Sequence, residues 1–275
     1  MRSLALPFLL LPLLIACAGT PQPSTQALAA RIADKPVWLL GEVHDNAEGH
    51  RQRAYLLAQR VQAGWRPAIA MEQFDRERQP DLDAALRDCA DADCVVQRAG
   101  GAKAAWQWPY YTPVIALALQ YRLPLLAANV SRADAARVVR EGYAAALDTA
   151  TLQAFGLDQP LPVDLDAGQQ REVDVGHCGQ LPASLLPGMA RAQVARDVWM
   201  ARVVREHADG VVLLAGNGHV RRDLGVPRWL AGVPSEQVVS VGFVEAAAPA
   251  GRFDAVVTIP AAARADACAT LKAPK

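Results

Sequence analysis

The 275-residue chain has no charge of one sign to spare: 28 Lys and Arg stand against 28 Asp and Glu. Proteins that hold nucleic acid neutralise phosphates with surplus cations, so this balance argues against such a partner. No apolar run reaches the roughly 20 residues of a membrane-spanning helix. Gly-x-Ser-x-Gly, the Walker A loop, His-Glu-x-x-His and Gly-x-Gly-x-x-Gly are all missing. Their absence argues against a serine hydrolase, an NTPase, a zincin and a dinucleotide enzyme. No Cys-x-x-Cys occurs either, which disfavours a thiolate metal site. Internal repeats are absent. Low charge with 52% apolar residues excludes disorder for most of the chain.

The N-terminus is a separate object. Arg2 precedes an apolar stretch from Leu4 to Ile15, and Leu14-Ile15-Ala16-Cys17 follows. A short apolar segment ending in small residues reads as a secretory signal over 1–16. The Leu-x-Ala-Cys ending resembles a bacterial lipobox, which makes Cys17 the lipidated first residue of the mature chain. Residues 17–30 then read as a tether, and 31–275 as the folded domain. The residue after Cys17 is not Asp, which in Gram-negative lipoproteins favours the outer membrane. The membrane is met through the lipid anchor only. Four cysteines remain, and an even number in an oxidising compartment suggests two disulfides. Three pairings are open. Cys89 and Cys94 flank a polar loop, so a local bridge is the natural expectation, leaving Cys178 with Cys268.

Beyond the tether, strands and helices alternate. Apolar runs at 37–40, 68–71, 125–128, 211–215, 238–244 and 255–259 read as strands. Helical spacing predicts helices over about 48–62, 82–89, 113–121, 133–146 and 188–207, with a short one after His219. Residues 148–187 show no long periodic element and are broken by Pro160, Pro162, Pro182 and Pro187. They suggest a lid or a small helical subdomain. The strands are apolar throughout rather than alternating, which predicts an α/β fold with a mainly parallel sheet covered by helices on both faces.

In such sheets ligands bind beyond the carboxyl ends of the strands. Those ends carry Gly41-Glu42-Val43-His44, Glu72-Gln73, Asn129 with Arg132 close behind, and Gly216-Asn217-Gly218-His219. Gly-x-x-His occurs twice, each time straight after an apolar strand. Two imidazoles with carboxylates suit a transition metal or an iron-bearing cofactor, so His44, His219, Glu42 and Glu72 are candidate metal ligands. A carboxylate beside a metal is a general base for its water. His50 is either a capping-region residue or points into the site. His177 is a further candidate ligand, held by its neighbour Cys178. The dense run Trp106-Gln107-Trp108-Pro109-Tyr110-Tyr111 is either a packing cluster or the wall of a planar-ligand pocket. Arg132, Arg221 and Arg222 are available to ligand carboxylates.

Taken in order, Leu39 to Asn46, His50-Arg51, Ala70 to Phe74, Trp108 to Pro113, Ala128-Asn129, His177-Cys178-Gly179, Ala192-Gln193-x-x-Arg196-Asp197-x-x-Met200-Ala201, Ala215-Gly216-x-Gly218-His219 and Gly225-Val226-Pro227 resemble the ChaN family of haem-binding lipoproteins. The resemblance spans about residues 30–245. That family sits in a wider group with the Tiki/TraB proteins and erythromycin esterase. The resemblance implies haem as ligand, a role in haem or iron acquisition, a helical subdomain, and a homodimer that holds stacked haems. It also implies a Tyr on the iron and a His near the propionates. No Tyr occurs after Tyr143, so the ligand would be Tyr110, Tyr111 or another Tyr of the N-terminal half, or else His177 or His219. The Tiki and esterase relatives imply a second expectation, a metal-dependent (Mn, Co or Zn) or Glu/His hydrolase with Glu42 and Glu72 as catalytic residues.

Overall fold

The computed structural model describes residues 23–100, 106–266, 268 and 269. Elements run in the order α1 (Pro23–Ile32), β1 (Val37–Leu40), α2 (Ala47–Gln62), β2 (Ala68–Asp75), α3 (Gln79–Asp88) and α4 (Ala92–Val95). There follow α5 (Thr112–Tyr121), β3 (Leu125–Asn129), α6 (Arg132–Glu141), α7 (Thr149–Ala154), α8 (Val163–Gly176) and α9 (Leu186–Glu206). The chain continues through β4 (Val211–Leu214), α10 (Asn217–Val220), β5 (Val238–Val244) and β6 (Ala255–Thr258). Short single turns of helix join several of these.

The six strands form one parallel sheet in the order β3-β2-β4-β1-β5-β6. Successive strand residues point to opposite faces. Trp38 and Leu40 therefore enter a core with Leu56, Leu57, Ile69 and Ile115, beneath α1, α2, α3 and α5. Val37 and Leu39 enter the other core, with Val194, Val198, Ala201 and Leu213, beneath α6, α8 and α9. Both sets are fully buried, which is why the strand sequences show no alternation.

β4 lies between β1 and β2, and this insertion builds the rim. Leu40 and Met71 both pair with Leu214. Two residues on, Glu42, Gln73 and Gly216 share a level, with Glu72 one residue below. Residues more than 140 positions apart in the chain thus become neighbours through sheet register alone.

Three expectations need correcting. The tether does not run to residue 30: α1 begins at Pro23, with Leu28 and Ile32 in the core and Thr25 hydrogen-bonded to Gln52. β2 continues to Asp75, so Glu72 and Gln73 belong to the strand itself, across a register shift against β3. The short helix expected after His219 instead contains it. The 148–187 stretch is helical, as one of its two readings had it, and holds the 14-residue α8. The expected signal peptide and Cys17 lie outside the described residues.

Both expected disulfides are formed, Cys89–Cys94 and Cys178–Cys268, with sequence separations of 5 and 90. In the chain-entropy account a loop of about 90 residues contributes roughly 4–5 kcal/mol and one of about 5 residues roughly 2 kcal/mol. The long bridge is the one that constrains the fold.

Candidate functional site

Two polar clusters meet at the rim. The first is built around Glu42, a carboxylate only 3% exposed at the end of β1. Arg53, one turn into the inner face of α2, forms a buried ion pair with it. His44 Nδ1 lies 2.7 Å from Glu42 Oε1, and the Tyr111 hydroxyl donates to the same oxygen at 2.6 Å. Gln73 Nε2 donates to it at 3.4 Å. His50 Nε2 meets the His44 carbonyl at 3.0 Å, and Arg53 Nη2 lies 3.1 Å from His50 Nδ1. With an arginine on one ring nitrogen and a carbonyl on the other, the proton of a neutral His50 sits on Nε2.

The electrostatics follow from this geometry. Burial pushes the Glu42 carboxyl up, but Arg53, His44 and His50 outweigh it and hold it down at about 2. Burial, with Arg53 beside it, lowers His50 to about 4. Burial also lowers His44, but its bond to Glu42 and the charge of Glu72 win, and its pKa ends raised. The Tyr111 phenol is driven upward by burial and by the adjacent Glu42 anion.

The second cluster joins β2, α9 and α10. Asp197, fully buried on α9, lies 2.6 Å from His219 Nδ1. His219 Nε2 is 3.6 Å from Glu72 Oε1. Gln169 of α8 donates to Asp197 at 3.2 Å, and the Gly216 N–H donates to Glu72 Oε2 at 2.7 Å. Burial pushes His219 down and Asp197 up, but for the imidazole the two carboxylates prevail and raise it. The triad retains a proton because two carboxylates enclose one imidazole away from water.

Glycine is required where the clusters touch. A Cβ on Gly216 would stand 3.0 Å from His44 Cε1 and 3.1 Å from its Nε2. A Cβ on Gly41 would overlap the Asn217 side chain, which bonds the backbone of Phe243 on both its oxygen and its nitrogen. Both Gly-x-x-His motifs therefore carry glycine for close approach.

His44, His219, Glu42 and Glu72 are brought together, with only the His44 side chain half exposed. Tyr111 departs from expectation: it is fully buried with its hydroxyl on Glu42, so it supports the rim and presents nothing to a ligand. Tyr110 stacks on His50 at 5.0 Å between centroids, and Trp106 meets His44 edge-on at 5.1 Å. With Trp108 against Phe74 at 5.4 Å, the aromatic run is a packing cluster that seals Glu42. Asn129 is buried and receives Arg196 at 3.0 Å, while Arg132 is exposed at the start of α6. Arg221 and Arg222 are engaged by Asp223 and Asp254. His177 caps α8 with Nδ1 on the Val173 carbonyl at 2.7 Å, and shares a cleft of about 250 Å³ with His219. Among the described residues no group of three or more His, Cys, Asp or Glu is placed to hold a metal ion. The expected divalent-metal centre finds no support in that geometry, and Glu42 is already paired with Arg53.

Arg53 is not marked by the sequence, Asp197 enters there only as part of the family motif, and Tyr143 only as the last tyrosine. Arg53 and Asp197 sit inside long helices, where an isolated charge reads as a solvated face. Tyr143 opens a short turn after α6, and its hydroxyl is buried without a hydrogen-bond partner.

A family model described as haem-binding uptake, Tiki superfamily, ChaN, matches residues 28–230. The chain belongs to the ChaN family. The ChaN of Campylobacter jejuni, whose structure shows cofacial haem binding, shares its fold at a TM-score of 0.69 and 20% identity, covering 84% of this chain and 90% of that one. An erythromycin esterase mutant in its open conformation aligns at a TM-score of 0.47 and 15% identity, covering 79% of this chain and 72% of that one. The type III effector HopBA1 gives 0.45 at 13% identity, covering 82% and 84%. Both of the latter are too remote to carry an argument. A search of curated proteins gave no match.

Two outcomes follow from the Glu42 cluster. Arg53→Leu strands a buried carboxylate and lowers stability by about 3–5 kcal/mol in denaturant unfolding, part of which Glu42→Gln restores in the double variant. Stability also falls in acid. His50 is depressed to about 4, so its share is present above 6.5 and lost on descending to 4; Glu42, depressed to about 2, loses its share between 4.5 and 2. Denaturation midpoints measured from pH 7 to pH 3 decline in that order, and His50→Gln flattens the upper step.

Proposed function

We propose that this ChaN-family chain binds haem in the cleft between α8 and the start of α9, and serves haem or iron acquisition. On this reading it works from a lipid anchor at Cys17 in the cell envelope, at the outer membrane of a Gram-negative bacterium. Family membership supports the ligand. One observation supports its position: the Tyr143 hydroxyl is buried and unpartnered on the wall of a cleft of about 660 Å³. An unsatisfied buried hydroxyl costs stability, and a ligand atom is one partner that can complete it.

The lining fits a haem. Leu161, Val163, Leu186 and Pro187 supply an apolar bed, and Arg171 and Arg191 supply cations beside the carboxylates of Asp166 and Asp174. The volume lies within the roughly 300–1,000 Å³ of small-molecule sites. Tyr143 would hold the iron, as phenol oxygens do in other haem proteins. Arg171 and Arg191 would hold the propionates. Arg191 Nε is itself buried without a partner, while its Nη2 donates to the Val139 carbonyl at 3.1 Å. Burial raises the Tyr143 phenol and Arg191 opposes that rise. Haem supplies an iron centre; the chain's own task is to hold and release it. The homodimer belongs to the same reading, by family membership alone.

A second reading belongs to the rim. Asp197 on His219, with Glu72 3.6 Å from the opposite nitrogen, is the arrangement of a base held in one tautomer, and supports a Glu/His hydrolase. Its sign is ester cleavage by the purified protein that disappears in Glu72→Gln while haem binding persists.

Haemin titration tests the main reading. The wild type shifts the Soret band at stoichiometric haemin. Tyr143→Phe, which removes only an unsatisfied hydroxyl and leaves thermal stability unchanged or higher, weakens binding at least about 10-fold. Equal affinity in that variant overturns the site.

A further inference from the structure

The exposed C-terminal segment crosses the rim and is fastened at both ends. Asn46, the cap of α2 two residues beyond His44, donates to the Pro260 carbonyl at 2.7 Å. The Ala262 N–H donates to Glu245 Oε1 at 2.9 Å. Arg264 spans Asp45 at 2.7 Å and Glu245 at 2.6 Å. Four residues on, Cys268 is bonded to Cys178, whose neighbour His177 lines the cleft of His219. Four residues reach at most about 14 Å, so the segment ties the loop carrying His44 to the end of α8. Residues 260–266 have no regular structure and contribute little to either core. Cys178 itself holds a left-handed φ of 61°, and Gly179 follows at 64°. The bridge thus acts on the turn that ends α8.

We propose that residues 259–266, tied through Cys268 to Cys178, form a redox-addressable clasp, opened by an exposed dithiol of the thiol–disulfide oxidoreductase class. One thiolate of the dithiol attacks a sulfur of the partly exposed Cys178–Cys268 bridge. The S–S bond breaks and the departing cysteine thiolate takes a proton. The second thiol of the partner then resolves the mixed disulfide. Two electrons pass to the chain, leaving Cys178 and Cys268 as thiols and the partner as a disulfide. Freed from Cys268, the turn at 177–180 that ends α8 loses its covalent tether and exposes His177, while Glu172 still holds the helix itself to Arg221 and Arg252. Arg264 then keeps only the near half of the segment in place. Cys89–Cys94 has no such reach, since it closes its own loop next to the first core.

Hydrogen exchange on the full chain tests the clasp without reference to haem. In Cys268→Ser, amides of 173–180 and 261–266 exchange about tenfold faster or more, whereas those of β1 and β4 keep their protection. Carbethoxylation of His177 by diethyl pyrocarbonate rises in parallel. Arg264→Ala, with the bridge intact, speeds exchange at 261–264 and leaves 173–180 protected. Native reduction by dithiothreitol followed by alkylation labels Cys178 and Cys268. Unchanged exchange at 173–180 in Cys268→Ser overturns the clasp, and a bridge that survives native dithiothreitol overturns its redox control.

Discussion

One buried carboxylate organises the rim. Glu42 lies at the end of a strand with no water to solvate it, and a charge in that position is tolerated only if other groups supply what water would. Arg53 supplies the counter-charge; His44, Tyr111 and Gln73 supply hydrogen bonds. Each of these groups is then fixed in turn: His44 in the tautomer that protonates Nδ1, Tyr111 as a phenol, and His50 as a neutral imidazole behind the arginine. Removing the anion would leave a buried guanidinium and three side chains without a reason for their orientation.

The second cluster reaches the first through topology. β4 enters the sheet between β1 and β2, and α10 lifts His219 off its end toward Glu72. Asp197 arrives from α9 and closes the set. The helical pair α8 and α9 therefore serves both faces of the account. Asp197 and Gln169 complete the rim, while another flank of the same pair, with Tyr143, makes the larger cleft. The Tyr143 cleft and the His219 triad are thus parts of one structural unit.

Much of this was legible in the sequence, for identifiable reasons. Strands buried on both faces leave continuous apolar runs, and β1, β3, β4 and β5 were found within a residue of their ends. Glycine placed before histidine after such a strand marked both motifs: at Gly41 a Cβ would overlap Asn217, and at Gly216 it would press on the His44 ring. α8 was hidden. It carries Gly168, where a Cβ would stand 2.5 Å from Leu224 Cδ2, and exposes Val163 and Val175, so its apolar residues trace no stripe. The surroundings of Arg53, Asp197 and Tyr143 were hidden, because they depend on partners across the fold, which no local pattern encodes. α1 was concealed by the Pro, Gln, Ser and Thr that also make a tether.

The most direct test of the organising carboxylate is the titration of His44 followed by imidazole nitrogen NMR in the wild type and in Glu42→Gln. In the wild type His44 titrates above 6.5, with Nδ1 carrying the proton of its neutral form, and Glu42→Gln lowers that titration and releases the tautomer. A His44 curve identical in the two proteins would contradict it.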